Sequence, residues 1–289
     1  MNTRYRYRTN LFIALVLGIA SLVSLLAAHT LFAAPPQAPV RYVALGDSRA
    51  AAPTYTSVLT GNGCGQTSSS YPKVLAGRLG ATLIDKSCTA AKTENILSSP
   101  QRTLLASVPV QIDAVTSDTN LVTVSIGGND IGWSQFVDKC ISMIPGIDRK
   151  CRDDQNLQPS IATALAGLQP KVEEVLQVVK NRAPTAQVVL VGHGGLYDST
   201  GCAFQAGYSN ADGPIVTGFF AQFNGTLKTA ADNQGVTFVD VDTPAQNGHD
   251  VCSGSERWFN GDAPASLYQT RHPTPLGSSA IANLIYNSL

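Results

Sequence analysis

Five short aliphatic and β-branched runs alternate with segments of helical spacing, and no other feature narrows the fold as far. The runs are Tyr42–Leu45, Thr82–Asp85, Leu121–Ile126, Val188–Val191 and Val236–Val241. Between and after them lie Tyr71–Leu79, Val108–Thr116, Pro159–Lys180, Pro214–Asp232 and Pro275–Tyr286, each read as a helix. In the third of these, Ile161, Leu165, Leu168, Val172, Val175, Leu176 and Val179 share one side, as a helix lying on a sheet requires. Strands apolar on both faces and joined by helices imply a parallel sheet covered on each side. The expected fold is a three-layer α/β/α domain around a five-stranded parallel sheet of flavodoxin-like order, 2-1-3-4-5. In that order the first and third strands diverge, and the loops at their carboxyl ends open a crevice. Those loops are Gly46-Asp47-Ser48 and Gly127-Gly128-Asn129-Asp130.

The first 34 residues stand apart from this alternation. Arg4, Arg6 and Arg8 precede an apolar run from Leu11 to Ala28, and small residues follow at Ala33 and Ala34. This reads as an export signal, with an uncleaved membrane anchor as the alternative because the run is long. Either places the remainder outside the cytoplasm, and no cysteine near the cleavage region supports a lipid anchor. Residues 35–40 form a Pro/Ala linker, and 41–289 a single folded domain. Twenty basic and twenty acidic residues cancel, so nothing points to nucleic acid as a partner. A monomer is expected.

Six cysteines, Cys64, Cys88, Cys140, Cys151, Cys202 and Cys252, all follow the export segment. An even count in an exported chain suggests disulfides, with fifteen pairings open. The simplest is sequential: Cys64–Cys88, Cys140–Cys151 and Cys202–Cys252. The competing zinc site lacks a C-x-x-C pair and a histidine at ligand spacing, so no metal is expected. The irregular segments Ser134–Gln158 and Gly192–Gly213 then become disulfide-pinned loops able to shape a cleft.

A serine at the end of a buried strand is a candidate nucleophile if the chain also supplies a base and oxyanion donors. Of four histidines, His29 lies in the export segment, while His193 and His249 suit structural roles. His272, in "TRHPTPLG", is the best base: Pro273 restrains its backbone and the last helix fixes its height. Asn129 follows two glycines that let the backbone come close, so its amide can face the crevice. The backbone N–H groups of Ser48 and of Ala90, in "SCTAAKT", would complete a set of donors. Trp133 could line the cleft or lie in the core.

"ALGDS", "SCTAAKT", "SIGGND" and "RHPTPLG" occur in the order and contexts of the SGNH (GDSL-type) hydrolase family, which the chain resembles from about Tyr42 to Leu289. The six-cysteine layout resembles the family's secreted actinobacterial lipases and esterases. The resemblance implies an SGNH hydrolase domain with Ser48 as nucleophile and His272 as base. The oxyanion donors would be the Ser48 and Ala90 amides and the Asn129 side chain, and no cofactor is needed. Three departures matter. Arg49 stands where the motif has leucine and is expected at the cleft rim. Ala90 replaces a glycine and would be strained at positive φ. Gln269 stands where many members carry an aspartate three residues before the histidine. The expectation is a Ser48–His272 dyad, with the Gln269 carbonyl accepting the His272 Nδ1–H; Asp262 folding back is the weaker option. Asp47 is expected to shape the turn by accepting backbone N–H bonds.

The reaction this implies is hydrolysis of a lipid or small acyl ester through an acyl-enzyme. A carbohydrate O-acetylesterase, or an acyltransferase of the cell envelope, would use the same groups. A non-catalytic binding protein on the same fold is the reading from another class.

Overall fold

The computed structural model describes residues 39–289 apart from 143, 145, 146 and 264–266. The expected signal or anchor, 1–34, and most of the linker lie outside the described residues. The strands are β1 (Arg41–Gly46), β2 (Thr82–Asp85), β3 (Leu121–Ser125), β4 (Gln187–Val191) and β5 (Thr237–Val239). They form one parallel sheet in the order β2-β1-β3-β4-β5. β1 is interior, next to the edge strand β2: Val43 pairs with Ile84 on one side and with Val122 on the other. Its residues Tyr42 to Leu45 are fully buried, which is why the run shows no polar alternation.

Helices α1 (Tyr71–Leu79) and α4 (Pro275–Tyr286) pack together, as do α2 (Leu157–Arg182) and α3 (Gly213–Gln234), and the two pairs flank the sheet. Their ends follow from local chemistry. Pro72 opens α1 and Gly80, at φ +60°, closes it. Thr274 caps α4 by accepting the Gly277 N–H at 3.0 Å, with Pro275 in the first turn. The apolar side of α2 named above is buried along its length.

Val108–Thr116 is not an α-helix. Gln101–Arg102 pairs with Ser107–Val108 in a small antiparallel ladder, and only Gln111–Ala114 makes a 3₁₀ turn. Pro109 lacks the N–H a helix would need and biases Val108 toward extended backbone. The segment after Asn129 is also more regular than expected, with a helix at Trp133–Asp138. Disulfides join Cys64 to Cys88, Cys140 to Cys151 and Cys202 to Cys252, the sequential order. The last two pin the loops after β3 and β4, which also meet where Ser142 N–H donates to Gly207 O at 2.7 Å. Among the described residues no helix is long and apolar enough to cross a membrane.

Candidate active site

The register of β1 on β3 sets the height of Ser48. Gly46 pairs with Ser125, and the Asp47 N–H donates to the Ser125 carbonyl at 3.0 Å. Gly46 sits at φ +147°, and a side chain there would collide with that same carbonyl, so only glycine fits. The side-chain amide of Gln111 clamps Gly46 from the other side, taking its N–H at 2.7 Å and donating to its carbonyl at 2.9 Å. Asp47 caps the one-turn helix Ser48–Ala51, its Oδ1 accepting the Arg49 N–H at 2.9 Å. Ser48 is thus the first helical residue, a position whose N–H has no partner within the helix. It is 9% exposed.

Ala90, in the loop after β2, does adopt the left-handed conformation, φ +67°. Its surroundings hold it there. Thr89 donates from both N and Oγ1 to the Cys64 carbonyl at 2.9 Å, Gln101 Nε2 donates to the Thr89 carbonyl at 2.6 Å, and the Cys64–Cys88 bridge closes the loop. Asn129 is tied to the same loop: its Nδ2 donates to the Ala91 carbonyl at 2.9 Å. An amide nitrogen carries two hydrogens, so this bond fixes the amide plane and leaves a second donor. Asp130 reinforces the junction by accepting the Thr93 hydroxyl at 2.5 Å and the Thr93 N–H at 3.1 Å.

His272 is presented by the chain between Trp258 and α4. Its carbonyl accepts the Asn260 N–H at 3.0 Å, and Thr274 N–H donates to the Trp258 carbonyl at 2.8 Å. The Gln269 carbonyl, expected on the ring, accepts the backbone N–H of His272 at 3.2 Å instead. Nδ1 has no hydrogen-bond partner among the described residues. Asp262 does not turn to the ring either; its Oδ1 takes the Tyr197 hydroxyl at 2.8 Å and Arg271 Nε at 2.6 Å. Burial, then the charge of Arg49, lowers the His272 pKa to about 4, while the nearby carbonyls of Thr270 and Tyr268 pull it up. The imidazole is therefore neutral, and able to accept a proton, over most of the pH range.

Ser48, Ala90, Asn129 and His272 line one cleft of about 480 Å³. Trp133 forms part of its wall, backed by His193 at 5.3 Å and Phe220 at 5.5 Å between ring centres. His193 is buried in this aromatic cluster and His249 stacks on Trp258 at 4.7 Å, so both serve packing.

Arg49 is not at the rim. It is 4% exposed, its Nη2 donates to the Gly194 carbonyl at 2.9 Å, and its guanidinium lies 4.4 Å from the centre of the Phe259 ring. An aromatic face and a backbone carbonyl at the end of β4 draw the cation inward, and neither could be foreseen from the local sequence. Gln111 lies in Val108–Thr116, expected to be a helix, and nothing in the local sequence marks it as the partner of Gly46.

The GDSL-like Lipase/Acylhydrolase family matches residues 44–280. The chain is 30% identical over 282 residues to Lipase 2 of Streptomyces coelicolor, covering 93% of each chain. Among solved structures it resembles phospholipase A1 from Streptomyces albidoflavus NA297, with TM-score 0.69 and 26% identity over 87% of this chain and 99% of that one. It likewise resembles the extracellular lipase of Streptomyces rimosus, with TM-score 0.68 and 26% identity over 86% of this chain and all of that one (100%).

Proposed function

Because the chain belongs to the GDSL-like lipase/acylhydrolase family, we propose that it is an exported serine ester hydrolase working through a Ser48–His272 dyad. The observation that carries this reading is the shared cleft of Ser48, Ala90, Asn129 and His272. His272, neutral at working pH, takes the Ser48 proton as Oγ attacks the ester carbonyl. The tetrahedral oxyanion is held by the Ser48 and Ala90 N–H groups and the second Asn129 Nδ2 hydrogen. The imidazolium returns its proton to the leaving alcohol, and water, activated by the same ring, releases the acyl group. Asp47 shapes the turn and takes no proton in this scheme. Export is supported by the charged-then-apolar N-terminus and by three disulfides outside it.

Among the described residues the cleft sets the hydrogen-bonding side chains of Ser134, Asp138 and Arg271 beside Trp133. Such groups can meet a polar substrate, so O-deacetylation of a carbohydrate is the second reading.

The test is hydrolysis of p-nitrophenyl acetate, butyrate and palmitate by the purified protein, with Ser48→Ala and His272→Ala beside it. Both substitutions are expected to abolish turnover, and the chain-length profile of the parent separates esterase from lipase. Turnover that survives Ser48→Ala would overturn the mechanism.

A further inference from the structure

His272 has neither a carboxylate three residues upstream nor any other on its ring, yet the residue before it is held by two. Arg271 Nε bonds Asp262 Oδ1 and Nη2 bonds Asp138 Oδ1, both at 2.6 Å. The pairs are unequal. The Asp262 side chain is 4% exposed and also accepts the Tyr197 hydroxyl, whereas Asp138 is 56% exposed. A buried, charge-assisted bond holds geometry more firmly than a solvated one. Arg271 itself sits at φ +60°, a conformation that persists in a non-glycine residue only where its surroundings impose it.

The three partners belong to different parts of the site. Arg271 and Asp262 close the neck of the His272 loop, where Arg271 N–H also meets the Gly261 carbonyl at 3.4 Å. Asp138 ends the helix Trp133–Asp138, which begins four residues after Asn129, and the guanidinium lies 5.6 Å from the Trp133 ring centre. We infer that Arg271 is a positioning residue for the reaction: anchored on Asp262, it holds the His272 backbone and keeps it in register with the Asn129 side of the cleft. Asp262 thereby acts on His272 at one remove, through the arginine. The inference rests on the Ser48–His272 reading above.

Arg271→Gly tests it cleanly, because glycine tolerates the same backbone conformation and the variant loses only the side chain. The expected result is a fall in kcat of about 10- to 100-fold with KM within about twofold, since misplacing a reacting group lowers the rate of the chemical step. Added guanidinium ion at millimolar concentration is expected to restore part of kcat in Arg271→Gly and none in Ser48→Ala. Arg271→Lys, which keeps the charge but not the fork, should fall between. A kcat within about twofold of the parent in Arg271→Gly, or a rise confined to KM, overturns the inference and, in the second case, makes Arg271 a substrate contact. Activity surviving in Ser48→Ala overturns the dyad instead, so the two failures are distinguishable. Thermal unfolding of each variant separates loss of position from loss of fold.

Discussion

Arg49 Nη2 donates to the carbonyl oxygen of Gly194 at 2.9 Å, so the residue after Ser48 reaches under the site to the loop following β4. Its charge is the second cause, after burial, that holds His272 at about 4. A base with that pKa stays neutral where an ordinary imidazole, near about 6.5, is already protonated. The acid limb of the kcat/KM profile is expected to have its midpoint near pH 4. Arg49→Leu removes the repulsive charge and leaves the burial, so the midpoint should rise part of the way toward the ordinary value. Arg49→Lys should keep it low. A pH–rate profile of the three proteins checks this, and an unchanged midpoint in Arg49→Leu would count against it.

Gly128 lets Trp133, His193 and Asn129 occupy their places together. A Cβ there would lie 2.9 Å from both His193 Nε2 and Trp133 Cδ1. Its φ is not in the left-handed region, so Gly128→Ala acts through crowding, at a cost of about 1–3 kcal/mol. Because Asn129 is the next residue, kcat should fall as well. Asn129→Ala sets the scale, with an expected loss of about 100- to 1000-fold in kcat if its amide stabilises the oxyanion. Gly128→Ala should fall between that and the parent, with a lowered unfolding temperature. Equal kcat in Gly128→Ala and the parent would show that the wall yields without moving Asn129.

The alternation of Tyr42–Leu45, Leu121–Ile126 and Val188–Val191 with helical spacing was enough to read the sheet order, because buried parallel strands leave an unbroken apolar signature. The helix over Pro275–Tyr286 was legible to the residue, since threonine and proline mark its start. What was not legible depended on partners distant in sequence. Arg49 reads as a residue of the cleft rim until Gly194 and Phe259 are placed beside it. Gln111 reads as one residue of a helix over Val108–Thr116 until Gly46 offers it a donor and an acceptor. The carbonyl expected from Gln269 at the His272 ring failed for a local reason: a turn of three residues directs that carbonyl to the backbone N–H. Ala90 was the opposite case, because a residue standing where a glycine is usual already announces positive φ.

Ala90 allows a test of strain against support. A left-handed alanine costs about 1–2 kcal/mol, whereas glycine loses about 0.5–1 kcal/mol in chain entropy. Ala90→Gly is therefore expected to leave stability unchanged or slightly raised, with kcat within about twofold, because the N–H is retained. Replacing Cys64 and Cys88 together by alanine should cost about 3 kcal/mol. It should also lower kcat at temperatures where the variant is still folded, because the loop carrying Thr89 and Ala90 hangs from that bridge. Removing Cys140 and Cys151 instead should affect stability more than kcat. Urea unfolding and steady-state kinetics on the three variants check the ranking, and a larger kcat loss from the second pair would reverse it.

Asp47 and His272 respond to pH in opposite senses. Burial, the largest cause, raises the Asp47 carboxyl to about 7, against the pull of the Arg49 N–H and guanidinium. Between the ordinary carboxyl value, about 4, and about 7, the folded protein keeps a proton on Asp47 that the unfolded chain releases. Its contribution to stability therefore falls as pH rises through that window. For His272 the unfolded chain holds a proton that the folded one refuses, from about 4 upward to the ordinary imidazole value, so stability rises with pH there. Asp47→Asn removes only the first effect, and asparagine still caps the helix. The stability of Asp47→Asn relative to the parent is thus expected to grow steadily from about pH 4 to about pH 7, by a few kcal/mol at most. Urea unfolding of both proteins at three pH values across that range gives the answer. A difference that does not change with pH would mean that Asp47 is ionised in the folded protein throughout, with Arg49 as its counterion.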